Sequence, residues 1–311
     1  MAQVPAVPKL TRTRHLLRTT LFGRTDPTAD MVASERAALA LRATGPKGAT
    51  AQQVTFLLPM VGPDHVGDWD AVVARLRTTL EGFVGQDEPS WRAAVCCQSA
   101  PDLPDDPRIT YLPFTDPTPG NDKWRKLRVL CEALPDLASA PGYAMSFDAD
   151  DLLRQGTVKE MLSRQERGGY LVQSGYVMDV STGDIGLADR PSWITPLRKP
   201  FWKLCGSCAA VYHDPSNPTS TTFMSEITQH EHRMFPYLAK LAGQDLTPLS
   251  KPSVLYMLNH GENFGARRGR VRGRSAADRI RAEIRSPDPR PSAPGLPGIS
   301  QDRDDRCVSC R

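Results

Sequence analysis

No apolar run in this 311-residue sequence reaches the ~20 residues that a helix needs to cross a bilayer. The longest are Val54–Val61, interrupted by Pro59, and Val254–Leu258. The N-terminal stretch MAQVPAVPKLTRTRHLLRTT has no unbroken apolar core, which argues against a secretory leader and for a soluble, cytoplasmic chain. There is no internal repeat. Nor is there a disulfide framework: the seven cysteines are odd in number, and Cys96 and Cys97 are adjacent, a pattern suited to a reducing compartment. The two Cys-x-x-Cys pairs, Cys205/Cys208 and Cys307/Cys310, stand about a hundred residues apart, too far for a zinc ribbon, and read as buried or idle thiols. With 40% hydrophobic and 24% charged residues, wholesale disorder is also excluded.

Charge is nearly balanced overall, at +4, but unevenly spread. Residues 1–50 hold eight Lys/Arg against three Asp/Glu, and residues 265–311 hold twelve against six, which leaves the centre acidic. An acidic centre between basic ends is not the profile of a nucleic-acid-binding core. Three regions follow. Residues 1–50 form an N-terminal extension, partly disordered, with one helix near Asp30–Arg42. Its basic, loosely amphipathic stretch from Lys9 to Arg24 offers peripheral contact with the inner membrane face. Residues 51–264 are expected to form the folded central domain. Residues 265–311 are an Arg/Pro-rich tail, mostly disordered, with a helix expected at Ala276–Arg285.

Within 51–264, strands are expected at Val54–Leu58, Ala93–Cys97, Arg108–Leu112 and Tyr143–Phe147. The helix after the first strand has Asp68 as N-cap and a stripe of Trp69, Val72, Val73, Leu76, Leu80 and Phe83. A second helix, Asp122–Leu134, precedes the fourth strand. Beyond it come a helix at Gly156–Glu166, strands at Tyr170–Val180 and Leu204–Tyr212, a helix at Ser225–Ala242 and a last strand at Ser253–Leu258. Alternation of this kind implies an α/β fold, a mixed, mostly parallel sheet flanked by helices, with ligands beyond the carboxyl ends of its strands.

The fourth strand runs straight into Asp148-Ala-Asp-Asp151. Three carboxylates in four positions repel one another unless a cation shares them, and hard oxygen ligands suit Mg2+ or Mn2+, which would clamp substrate phosphates. A helix N-terminal cap is the competing reading. His260, inside Asn-His-Gly-Glu-Asn after the last strand, is the natural further ligand, oriented by Glu262 and Asn263. Lys123 and Lys126, three apart on one helix face, could meet a diphosphate, whereas Arg125 and Arg128 read equally well as a solvated face. On the late helix, His230, Glu231 and His232 cluster one turn after Glu226; a helix points positions i and i+2 apart, so Glu226 or Glu231 as general base is the better idea.

Residues 52–263 resemble the GT-A glycosyltransferases, particularly family-2-like bacterial enzymes. The likeness rests on Thr55-Phe-Leu-Leu-Pro59, Lys123–Leu134, Phe147-Asp-Ala-Asp-Asp151 and His260. It implies a GT-A-like (Rossmann-like) fold and transfer of a hexosyl group from a nucleotide sugar to a carbohydrate or lipid-linked acceptor, as in bacterial surface polysaccharide synthesis. It places Pro59, Lys123, Lys126 and Asp148 against the nucleotide sugar, with Asp148 at the ribose. Asp150 and His260 would hold Mn2+ or Mg2+, and Glu226 or Glu231 would deprotonate the acceptor hydroxyl in an inverting reaction. A phosphatase of haloacid-dehalogenase type is a rival, but it needs its Asp-x-Asp on the first strand and a later Gly-Asp-x-x-x-Asp, and Gly183-Asp184 reaches Asp189 with one residue too many. A GT-A-shaped binding protein without catalysis is the non-enzymatic alternative.

Overall fold

The computed structural model describes residues 3–45 and 49–261. The 265–311 tail with its expected helix, the Cys307/Cys310 pair, Glu262 and Asn263 lie outside the described residues. Among those that are described, no helix is long and apolar enough to cross a membrane.

The chain opens with helices α1 (Lys9–Thr20) and α2 (Ala33–Thr44), then β1 (Gln53–Pro59), α3 (Trp69–Val84), β2 (Trp91–Cys97) and β3 (Ile109–Pro113). There follow α4 (Lys123–Glu132), the single turn α5 (Leu134–Leu137), β4 (Gly142–Ser146), the two-residue β5 (Leu152–Leu153) and α6 (Thr157–Arg164). The second half holds β6 (Gly169–Leu171), β7 (Gly175–Asp179), β8 (Asp184–Ala188), β9 (Ala209–His213), α7 (Pro218–Ile227), α8 (Phe235–Leu241), β10 (Thr247–Pro248) and β11 (Val254–Leu258).

Seven strands form the main sheet in the order β10-β6-β9-β4-β1-β2-β3. Every pairing is parallel except the two made by β9. A smaller sheet, β5-β11-β7-β8, stands beside it. This is the α/β class expected, with the mixed, mostly parallel sheet of a Rossmann-like, GT-A type. β1 and β4 are central and buried along their whole length, which is why they read as continuous apolar runs rather than alternating ones. Beneath them Phe56 stacks on Phe83 of α3 with ring centroids 4.1 Å apart, and Phe147 meets both rings edge-on. The start of α3 follows the sequence: Asp68 accepts from the Ala71 backbone N–H at 2.9 Å.

Three expectations need correction. The N-terminal segment is part of the fold, with two helices instead of one. His15 Nδ1 lies 3.0 Å from buried Glu35, Tyr237 Oη donates to the same carboxylate, and Ser34 meets His230 at 2.7 Å, so α1 and α2 are bound to α7, α8 and the chain between them. The single strand expected at Tyr170–Val180 is two. Residues 172–174 leave the main sheet for the smaller one, and Gly175 presses so closely on the Phe201 ring that a Cβ there would lie 2.4 Å from it. Finally, the continuous helix expected over Ser225–Ala242 is broken. Pro236 fits only the first turn of a helix, and the intervening chain is pinned by the Gln229 side chain donating to the Trp124 carbonyl at 3.0 Å.

Candidate active site

A cavity of about 800 Å³ opens at the carboxyl ends of β1 and β4, within the ~300–1,000 Å³ usual for small-molecule sites. Its walls are Pro59–Val61 after β1, Val72 and Arg75 of α3, Gly120–Lys123 leading into α4, and Asp148–Asp150 after β4. Leu204, Gly206, His232, Tyr256 and His260 close the other side.

The acidic loop is held from both faces. Thr79 Oγ1 lies 3.0 Å from the carbonyl of Ala149 and 2.9 Å from that of Asp151, so α3 clamps the loop through one hydroxyl. On the opposite face the Asp148 N–H donates to Ser207 Oγ at 2.8 Å, and Ser207 in turn donates to Asp151 Oδ2 at 2.5 Å. Gly206 leaves room for Asp148, whose carboxylate would stand 3.3 Å from an added Cβ.

The three carboxylates reach different solutions to their mutual repulsion. Asp148 pairs with Lys123 Nζ at 2.5 Å. Burial works against the Lys123 ammonium, but the Asp148 and Asp150 charges prevail and raise its pKa. Asp150 Oδ2 sits 2.7 Å from His260 Nε2. His260 is aimed there by left-handed backbone on both sides, Asn259 at φ 58° and Gly261 at φ 91°, and Asn259 Nδ2 donates to Asp179 at 2.9 Å. Asp151 is wholly buried, and burial, followed by the charges of Asp150 and Asp148, pushes its pKa well above the ordinary carboxylate range. Ser207 Oγ and Cys205 Sγ, the latter at 3.1 Å, both donate to its Oδ2 and pull the other way, but burial prevails.

A raised carboxyl pKa means that the folded protein binds a proton the unfolded chain has released, so stability falls as pH climbs above the unfolded value of ~3.9 toward the folded one. Asp151→Asn keeps the shape and removes this titration. Its melting temperature is expected to gain on wild type steadily between pH 4 and neutrality. Parallel profiles for the two proteins would show that Asp151 is ionised in the fold.

Pro59, Lys123, Asp148, Asp150 and His260 therefore share one cavity. Lys126, Glu226 and Glu231 do not line it. Lys126 is fully buried and donates to the Met60 carbonyl at 2.7 Å while pairing with Asp122 at 2.8 Å, so it braces the end of β1 instead of facing a diphosphate. Glu226 turns toward Arg128, 3.5 Å away on α4. Glu231 lies half-exposed ahead of the His232–Met234 turn, with Arg233 at 4.0 Å. Glu226 sits in the last turn of α7 and faces α4, while the break after α7 leaves Glu231 outside the cavity and His232 in its wall. Burial lowers the His232 pKa, and its Nε2 has no hydrogen-bond partner among the described residues. Arg75 likewise keeps one buried guanidinium nitrogen unpartnered. The sequence carried no local signal for Arg75 and Tyr256, which line the cavity, or for Thr79 and Ser207, which hold the acidic loop, because their partners lie far away in the chain.

Among the described residues no three His, Cys, Asp or Glu side chains gather as a metal-binding group. Asp150 and His260 make a two-ligand set of carboxylate and imidazole. That set fits Mg2+ or Mn2+, which keep water and substrate phosphate among their ligands. Cys205 and Cys208 are free thiols, both buried.

No protein-family model matches the chain, and no curated protein matches it. Among solved structures it is similar to a mannosyltransferase from Pyrobaculum calidifontis in complex with GDP-Man and Mn2+, at TM-score 0.37 and 13% identity over 80% of each chain. It is also similar to a 4-diphosphocytidyl-2C-methyl-D-erythritol synthase, at TM-score 0.33 and 13% identity, over 69% of this chain and 92% of that one. At such scores the fold description rests on the strand order and register given above.

Proposed function

We propose that this chain is a cytoplasmic glycosyltransferase that takes a hexosyl group from a nucleotide sugar and passes it to a carbohydrate or lipid-linked acceptor, in the manner of bacterial surface polysaccharide synthesis. The observation that carries the reading is the two side-chain pairs, Asp148–Lys123 and Asp150–His260, facing one cavity at the carboxyl ends of β4 and β11. Asp148 accepts from donor hydroxyls, and Lys123 swings from it to the diphosphate. Asp150 and His260 hold the cation, which supplies neutralising charge for the leaving diphosphate. The base is His232, not Glu226 or Glu231: it lines the cavity, burial holds its pKa below the usual imidazole value, and its Nε2 has no hydrogen-bond partner among the described residues.

A melting-temperature screen of nucleoside diphosphate sugars, each alone and with Mn2+ or Mg2+, tests the reading. A donor at a hundred times its Kd stabilises by about 2.7 kcal/mol, and the gain is expected to need the metal. With the donor found, His232→Gln should keep that gain and lose turnover. A chain that no nucleotide sugar stabilises, with either cation, is not this enzyme.

A further inference from the structure

Between β8 and Phe201 the chain makes an excursion, residues 189–200, that no part of the proposed active site uses. Ser192 and Thr195 close a tight turn on themselves: their backbones exchange hydrogen bonds at 3.2 and 3.3 Å, and their hydroxyls meet at 2.7 Å. The Arg198 N–H then donates to the Thr195 carbonyl at 3.2 Å. The effect is to lock Trp193 and Ile194 at the two corners of the turn. Trp193 is 98% exposed, Ile194 93% and Leu197 84%, the three largest exposures of large apolar side chains among the described residues once α1 is set aside. Leaving a tryptophan wholly in water forfeits the burial of its ~150–250 Å², and a defined turn that does so invites a surface to receive it.

We infer that this turn is a membrane anchor, which inserts Trp193, Ile194 and Leu197 into the interfacial region of an anionic bilayer. Charge selects the occupant. From Arg190 through His213 there is no acidic residue, while Arg190, Arg198, Lys199 and Lys203 bring four positive charges, the combination that anionic headgroups attract. Shape selects it too. Three side chains at a protruding tip offer far less than the ~800 Å² per partner that a stable protein interface buries, but a bilayer needs only a tip, and tryptophan favours its headgroup level.

A second patch supports the same orientation. Leu10 and Leu17 recur along the outer stripe of α1, with Leu21 and Phe22 just beyond its end, all exposed, and no acidic residue occurs before Asp26. Both patches are tied to the stretch 229–237. The Val4 N–H donates to the Gln229 carbonyl, Arg12 stands over the Tyr237 ring, and Arg233 Nε donates to the Lys203 carbonyl at the foot of the anchor. That foot leads within a few residues to Leu204 and Gly206 in the cavity wall. The anchor thus sets the cavity rim beside the bilayer, where a lipid-linked acceptor would lie. Binding to the bilayer does not depend on the transfer reading.

Sedimentation of the full chain with vesicles tests the anchor, without donor or metal. Wild type is expected to partition onto phosphatidylcholine vesicles containing phosphatidylglycerol, more weakly onto phosphatidylcholine alone, and less at high salt. The triple variant Trp193→Ser/Ile194→Ser/Leu197→Ser should lose partitioning about tenfold or more with an unchanged melting temperature, since the tip buries nothing in the fold. Wild type that ignores anionic vesicles, or a triple variant that binds them as well as wild type, overturns the inference. So does a concentration-dependent dimer in lipid-free buffer that the triple variant loses, which would assign the tip to a second copy of the chain.

Discussion

Asp150→Ala is expected to cost sugar transfer at least ~10²-fold in turnover while leaving the fold intact. The magnitude is that of removing one group that stabilises charge developing on a leaving oxygen, about 2.7–4 kcal/mol in an enclosed site. Stability should hold because Asp150 is partly exposed at the cavity surface, so its truncation leaves no sealed space in the core. Calorimetric titration of Mn2+ separates the roles. Asp150→Ala and His260→Ala should each weaken the metal, and excess Mn2+ should recover part of the activity of His260→Ala, because the carboxylate remains. A folded Asp150→Ala protein that transfers sugar at near the wild-type rate would remove the cation from the reaction.

The second large effect lies on stability. Lys126→Ala should destabilise by about 3–5 kcal/mol, the usual cost of breaking a buried ion pair from one side, a third or more of a typical domain's ~5–15 kcal/mol. In this chain the loss is threefold. Asp122 keeps its charge with only Gln98 as neighbour at 2.7 Å, the Met60 carbonyl loses its donor, and the space of a fully buried side chain is left empty. A fall in melting temperature on the order of 10 °C follows. Lys126→Met in combination with Asp122→Asn should recover part of it, since no charge is then left buried. The opposite pattern, a normal melting temperature with a raised KM for the donor, would return Lys126 to the diphosphate.

Much of the sheet was legible because burial writes itself into short windows of sequence. β1, β2 and β4 are covered on both faces, so each appears as an apolar run, and the Asp68 cap with its stripe marks α3 within a residue. The acidic loop was legible for the same reason: three aspartates directly after a buried strand have few structural uses. His260 could be named because it too follows a strand, but nothing local shows that Asn259 and Gly261 aim it at Asp150.

What failed did so where the outcome depends on partners distant in sequence. Lys126 and Lys123 share a helix and differ by one turn, yet one is sealed beneath Met60 and the other reaches Asp148; helical spacing assigns a face, and only the packed sheet says what that face meets. The helix expected through Thr228–Phe235 has adequate local propensity. Contacts of Gln229 with α4 and of His230 with α2 hold it open instead, and past that break Glu231 stays out of the cavity while His232 lines it. The sequence by itself determined the layered α/β fold and the carboxylate-bearing strand end, because both follow from the order of burial along the chain. Which side chains stand around that strand end was decided by tertiary structure, because hydrogen bonds and ion pairs between residues a hundred positions apart are set by the packing of whole elements, which no local pattern contains.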